Sequence, residues 1–123
     1  VIYADRGQIS RVFYNLCKNA IDAMGQEGEI TIQTDLVTKG SLYYCRIQLQ
    51  DTGPGIDSTN QDKVFNPYFT TKESGTGLGL AIVERIVFDH KGQIWFETER
   101  GVGTTFYIDI PAEKKNELDS GHR

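Results

Sequence analysis

Gly75-Thr76-Gly77-Leu78-Gly79-Leu80 runs directly into the apolar residues Ala81-Ile82-Val83, and the reading of this stretch decides the fold. Three glycines at alternate positions predict a loop that feeds a helix whose first amides point unpaired donors at an anion. A flexible loop ahead of a core helix accounts for the same residues, and the glycines alone leave both readings open. Two familiar phosphate motifs fail on spacing. The dinucleotide fingerprint needs glycine where Leu80 stands, and the P-loop needs a closing Gly-Lys-Ser/Thr that is absent.

Downstream, Leu78, Ile82, Val83, Ile86 and Val87 keep helical spacing up to Lys91 and Gly92, which suit a helix end, and His90 sits there as a favoured cation. Gln93 to Thr98 and Thr104 to Ile110 alternate as strands about the hairpin residues Glu99-Arg100-Gly101-Val102-Gly103. Pro111 is expected to stop the last strand, which gives a domain over 1–111 and a polar, disordered tail over 112–123. Upstream, residues 56–74 have weak periodicity, with a short helix expected around 58–65, and read as a lid or binding loop. Its aromatic run Phe65-Asn66-Pro67-Tyr68-Phe69 either pins the loop to the core or meets a ligand. Lys72 is the one cation just ahead of the glycines.

Val1 to Ala4 reads as a short strand, and Asp5 with Gln8 makes a capping box for a helix to about Ala23, buried along Ile9, Val12, Phe13, Leu16 and Ala20. Asn15, Asn19 and Asp22, four and three apart, form a second stripe away from the apolar one. Asparagine lowers helix propensity, so two of them aimed together favour a site over a solvated face. Glu29 to Thr34 and Leu42 to Asp51 alternate as strands, the second clearly, with Tyr43, Cys45, Ile47 and Leu49 on one face and Tyr44, Arg46, Gln48 and Gln50 on the other. Asp51 continues the apolar face, where a carboxylate is costly unless a donor meets it. Asp51-Thr52-Gly53-Pro54-Gly55 alone reads first as a strand-ending turn.

At 123 residues the chain is long enough for one compact domain without disulfides or structural metal. Its net charge of -4 argues against a nucleic-acid backbone as partner. Cys17 and Cys45 fall on apolar phases and read as reduced core residues, implying a reducing compartment. No apolar run approaches a membrane span, so direct membrane insertion is not expected. The chain opens at Val1 without methionine and reads as a piece of something longer.

In order and spacing, Asn15-Leu16-Cys17-Lys18-Asn19-Ala20, Asp51 to Gly55, Phe65 to Phe69 and Gly75 to Leu80 resemble the asparagine, first glycine, phenylalanine and second glycine boxes of sensor histidine kinases. Gly101-Val102-Gly103-Thr104-Thr105-Phe106 is similar to the final motif, and the resemblance runs from Asp5 to Pro111. It extends to the ATPases of gyrase, Hsp90 and MutL type, and it implies an α+β, two-layer α/β sandwich, the Bergerat ATP-binding fold. Helices would pack on one face of a mixed, mainly antiparallel sheet. A departure at Asp22, where many sensor kinases carry a basic residue, resembles the nitrogen-regulation type and weakens any claim of a cation at that point.

The resemblance implies Mg²⁺ held by Asn19 with support from Asn15, a suitable use of amide oxygen for a hard cation. It implies adenine hydrogen-bonded by Asp51, with Gly53 and Gly55 beneath the base, Thr104 reaching it through water, and Asp22 near the metal. Thr71, Lys72, Gly75, Thr76, Gly77, Leu78, Gly79 and Leu80 would form the ATP lid, anchored by Tyr68 and Phe69. Hydrolysing relatives carry a glutamate where this chain has Asn15, whose amide cannot take a proton, so no water-activating base is expected. The implied activity is transfer of the γ-phosphate of ATP to a histidine on a separate dimerisation domain, and through it to a response regulator. Neither His90 nor His122 suits that acceptor role. The isolated domain is expected to be a cytoplasmic monomer whose parent protein could carry a membrane anchor. A serine kinase of the anti-sigma type and a nucleotide-sensing module without transfer are the alternatives.

Overall fold

The computed structural model describes residues 2, 4–71 and 75–113; Lys72, His122 and the tail from 114 onward lie outside them. Helix α1 spans Arg6–Met24, and its start is set by Asp5, whose Oδ1 accepts from the Gln8 amide at 2.9 Å. Gly25 ends it, donating from its amide to Ile21 O at 3.1 Å. Strands β1 (Ile30–Lys39) and β2 (Leu42–Asp51) form a hairpin, α2 spans Gly79–Asp89, and β3 (Gln93–Glu99) and β4 (Gly103–Ala112) form a second hairpin. The sheet order is β1-β2-β4-β3, and every described ladder is antiparallel, so the expected mixed sheet is antiparallel throughout what is described.

Both helices lie on one face of the sheet, because their apolar stripes match its apolar phase. Val12, Leu16 and Ala20, four apart on α1, and Val83, Ile86 and Val87 of α2 are buried against Ile47 and Leu49 of β2 and Phe106, Ile108 and Ile110 of β4. Each such side chain taken fully out of water contributes about 1.5–3 kcal/mol before conformational costs. Cys17 and Cys45 are free and sit half-buried at the margin of this core.

The opposite face of the sheet is held by a buried carboxylate. Asp109 of β4 has no solvent exposure and accepts two bonds from Arg46, from Nε at 2.8 Å and Nη2 at 2.9 Å, while Lys39 Nζ lies 2.8 Å away. Arg46 and Lys39 in turn lie over Trp95, which stacks on Tyr107 with ring centroids 5.3 Å apart. Burial alone would push the Asp109 carboxyl up, but the hydrogen bonds and charges of Arg46 and Lys39 hold it below its ordinary value. All four strands are thereby tied together across one face.

Three expectations change. β1 extends to Lys39, well past Thr34, because pairing with β2 continues to the Lys39–Leu42 rung and Lys39 closes the Asp109 cluster. No helix forms at 58–65: the amides of Asn60, Lys63 and Asn66 reach back three residues to Asp57, Asn60 and Lys63, giving successive turns. Pro111 does not stop β4, which continues to Ala112. Beyond Asp109 it is no longer paired with β3, and a residue lacking an amide is tolerated on such an edge. At the start of the chain Ile2 forms a single bridge to Ala112, while Val1 and Tyr3 of the strand expected over Val1 to Ala4 lie outside the described residues.

His90 joins the two helices. Its Nε2 accepts from the Asp5 amide at 3.1 Å and its Nδ1 lies 2.8 Å from Ile86 O, a pair of bonds that requires a lone pair on Nε2. It fastens the end of α2 to the start of α1.

Candidate functional site

Pairing registers bring Asp51, Thr104 and Thr98 into one rung across β2, β4 and β3, on the face that carries the core. Asp51 and Thr104 are each only 5% exposed. The carboxylate found its donors in the backbone: Asp51 Oδ1 accepts from the Gly53 amide at 2.9 Å and the Thr104 amide at 3.3 Å. Oδ2 takes part in neither bond. A buried carboxylate is thus oriented by one oxygen and offers the other as an acceptor at the end of the sheet.

The loop after β2 is strapped to the β3–β4 hairpin. The Gly101 amide donates to Pro54 O at 2.8 Å and Arg100 Nη1 lies 2.9 Å from Asp57 Oδ2. Bonds from Thr59 and the Arg100 charge hold the Asp57 carboxyl below its usual value. Gly55 has φ +82, and a Cβ there would lie 2.6 Å from Glu99 O, so its glycine is required by this strap whether or not a base lies above. Gly53 instead abuts the end of α1, where a Cβ would lie 3.4 Å from Met24 Cγ and 3.6 Å from Ala23 Cβ.

The other end of the site is at Asn15. Its Nδ2 donates to Arg11 O at 2.9 Å, which fixes the amide so that Oδ1 faces Gly79, where a Cβ would lie 3.2 Å from it. Gly79 begins α2, and no side chain caps that helix. The Leu78 amide donates to Thr76 Oγ1 at 3.3 Å. The start of α2 therefore lies against Asn15 on the polar stripe of α1, a positive helix end beside an amide oxygen. From Ala23, beside Gly53, back to Asn15 is eight residues of helix, about 12 Å. That spacing suits a base at one end and phosphates at the other.

Asn19 lies on α1 between these ends, half-buried, and Asp22 is exposed on the same stripe. Lys18 Nζ lies 3.0 Å from Asp22 Oδ2, and this bond raises the Lys18 pKa. Asp22 stands where the resemblance leads one to expect a basic residue, and Lys18, four residues before it, brings a cation to the same edge at a spacing that could have pointed to it. Among the described residues no group of three His, Cys, Asp or Glu side chains could hold a metal. A cation here would rest on amide oxygens, phosphates and water, a donor set that fits Mg²⁺.

The aromatic run divides its work differently from expectation. Phe65 packs on Phe96 and Phe106, with centroids 6.0 and 6.3 Å apart, whereas Tyr68 is 76% exposed. Tyr68 anchors through its backbone, at φ 68, its amide donating to Gly77 O at 2.8 Å. Gly77 has φ +74 and a Cβ there would run into the Tyr68 backbone. Phe69 and Leu80 are half-buried, Thr71 is exposed, and Gly75 is half-buried ahead of the helix. Thr98 escaped the sequence reading, since a threonine on the inner phase of a strand carries no signal until the register sets it beside Thr104. A concavity of about 620 Å³ between α2 and the edge of β3 includes none of Asn15, Asn19, Asp51, Gly79 or Thr104.

Residues 4–114 match the family model described as "Histidine kinase-, DNA gyrase B-, and HSP90-like ATPase". The chain is 42% identical over 110 residues to the sensor histidine kinase ZraS of Escherichia coli K12, covering 89% of this chain and 23% of that protein. It is 36% identical over 116 residues to sporulation kinase E of Bacillus subtilis, covering 94% of this chain and 15% of that protein. The chain thus spans under a quarter of the length of these relatives. Among solved structures, the nucleotide-free catalytic domain of histidine kinase ThkA superposes with a TM-score of 0.76 at 41% identity, covering 89% of this chain and 70% of that one. Full-length ShkA in complex with AMPPNP gives a TM-score of 0.79 at 28% identity, covering 94% of this chain and 24% of that one. The chain belongs to the family of histidine kinase-, DNA gyrase B- and HSP90-like ATPases, as a catalytic domain of the sensor histidine kinase kind.

Proposed function

We propose that this domain binds Mg-ATP between the Asp51 rung and the start of α2 and presents the γ-phosphate to a histidine on a separate dimerisation domain, from which it passes to a response regulator. The observation that carries this reading is the pairing of a buried, backbone-oriented Asp51 with an uncapped α2 facing Asn15. Asp51 Oδ2 accepts from the adenine amino group. The Gly77, Leu78 and Gly79 amides meet phosphate oxygens. Asn19 and Asn15 offer amide oxygens to Mg²⁺, which when bound neutralises phosphate charge and fixes the chain for in-line transfer. Thr71, Lys72, Gly75, Thr76 and Leu80 belong to the segment that covers the phosphates.

Asn15 holds no proton-accepting group, its Nδ2 being committed to Arg11 O. The site therefore positions ATP and does not activate water, so catalysis rests on orientation and charge stabilisation. A domain of this kind lies in the cytoplasm and is monomeric by itself. Among the described residues no helix is long and apolar enough to cross a membrane.

The test adds the phosphoacceptor domain of the parent protein in trans with γ-labelled ATP. Acid-labile, Mg²⁺-dependent label is expected, and Asn19→Ala should reduce it at least about 100-fold, as loss of a metal ligand does. Acid-stable label would instead indicate a serine acceptor. Nucleotide binding with no label at all would overturn the kinase assignment.

A further inference from the structure

We propose that the ring of Tyr68 is a docking contact for the domain that carries the acceptor histidine, held at the rim of the phosphate end by a backbone that turns it out of the core. The proposal rests on the kinase function proposed for this chain and concerns a side chain that does not touch ATP.

Two features of Tyr68 are unfavourable and occur together. Its φ is +68, in the left-handed region, and its side chain is 76% exposed. Glycine or asparagine would adopt that backbone at less cost, and neither would leave a ring in water. The fold does not call for the ring. Core packing in this aromatic run is done by Phe65, which lies against Phe96 and Phe106. The anchor to the glycine stretch is the Tyr68 amide, which donates to Gly77 O at 2.8 Å, and any residue but proline supplies that bond. The backbone thus accounts for the conformation and the anchor, and the exposed ring is left over.

The ring is also well placed. Amides on both sides are bonded, Asn66 to Lys63 O at 2.9 Å and Phe69 to Asn66 O at 3.2 Å, so the side chain leaves from a fixed backbone. A Cβ on Gly77 would lie 2.6 Å from Tyr68 Cα, so the two backbones touch. Gly77 stands two residues before Gly79, which lies against Asn15 at the start of α2. In-line transfer brings the acceptor nitrogen to within about 3–3.5 Å of the γ-phosphate. A domain that delivers a histidine so closely covers the rim of this end of the site, and Tyr68 is on that rim. A tyrosine has few side-chain torsions to lose and offers an apolar body with a polar tip, which suits a pocket on a partner. The partner surface that fits is an apolar recess next to the acceptor histidine, entered by the ring.

The experiment measures transfer from γ-labelled ATP to the phosphoacceptor domain of the parent protein, added in trans over a range of concentrations, for the wild type, Tyr68→Asn and Tyr68→Phe. Calorimetry gives the Kd for ATP of each. Asparagine is tolerated at this φ and keeps the amide bond, so Tyr68→Asn removes the ring alone. Its KM for the acceptor domain is expected to rise about tenfold, as loss of an aromatic anchor does, with kcat at saturation and Kd for ATP within about twofold of the wild type. Tyr68→Phe keeps the ring and should stay within about threefold of the wild-type KM. A Tyr68→Asn chain with unchanged KM overturns the proposal. So does one whose Kd for ATP weakens as much as KM rises, since the ring would then serve the nucleotide, and so does one that loses only kcat. A wild-type chain that binds ATP but labels no acceptor overturns the kinase reading, and one that binds no ATP overturns the nucleotide site; in either case the proposal falls with it.

Discussion

Replacing Asp51 by asparagine separates the structural half of this carboxylate from its recognition half. Oδ1 accepts two backbone amides, from Gly53 at 2.9 Å and Thr104 at 3.3 Å. An asparagine keeps both bonds only with its carbonyl oxygen in that place, since the flipped amide would set its NH₂ against two N–H donors. Nδ2 is thereby forced into the position of Oδ2. Toward adenine, a charge-assisted acceptor becomes a donor facing a donor. The lost bond costs about 2 kcal/mol and the unpaired donors about 1 kcal/mol more, together roughly 150-fold in Kd. Toward a 6-oxopurine the same change is favourable, because Nδ2 now meets O6. Titration calorimetry of Asp51→Asn with ADP, ATP and ITP should show ATP and ADP weakened by the same factor and ITP bound at least as well as by the wild type. Thermal denaturation should shift by no more than about 3 °C, since the backbone bonds survive. An Asp51→Asn chain that binds ATP within a few-fold of the wild type would refute the assignment of Oδ2 to the base.

Asp109→Asn should lower stability by about 2 kcal/mol at pH 7, because two partly exposed cations lose a buried partner. The folded carboxyl titrates below its unfolded value, so this stability is present above about pH 4 and disappears as pH falls through the lower folded value; chemical denaturation at pH 7 and pH 3 should show the gap between wild type and variant closing. Gly77→Ala puts a methyl group against the Tyr68 backbone at φ +74, and should weaken ATP about tenfold with a smaller loss for adenosine, which has no phosphates, as read by the same calorimetry.

The long elements were legible because burial enforces period. The stripe of Val12, Leu16 and Ala20 and the alternation of Cys45, Ile47 and Leu49 follow from one face being out of water, and the structure keeps both. Ends were less legible. Whether β1 stops at Thr34 or Lys39 depends on a partner strand and on Asp109, seventy residues away, and Pro111 is tolerated because β3 ends alongside Asp109. In the site, Asn15 and Asp51 were conspicuous since each breaks a local rule, an amide in a helix and an acid in an apolar phase. Thr98 and Lys18 break none. Their roles exist only once register and helix rotation give them neighbours, and single-residue chemistry could not reveal them. Tyr68 was misleading for the converse reason: an aromatic in a motif invites a packing role, whereas its backbone makes the contact and Phe65 fills the core.

The two ends of the site ask different things of the fold, which explains why they are built from different elements. In the proposed reading, choosing a base is a matter of donor and acceptor placement, and an error of an ångström at Asp51 would erase it; Asp51 and Thr104 are on a rung between paired strands, both buried, and two backbone amides orient the Asp51 carboxylate. Handling phosphate needs charge and open amides more than exact placement, and in the proposed reading it falls to the start of α2, which no side chain caps, with the amide groups of α1. An acid at Asn15 would add a proton acceptor beside the terminal phosphate and invite water to compete with the histidine. The amide keeps the polar stripe, keeps its bond to Arg11 and withholds the base, so that in the proposed reading ATP would stay intact until a second domain brings the nucleophile.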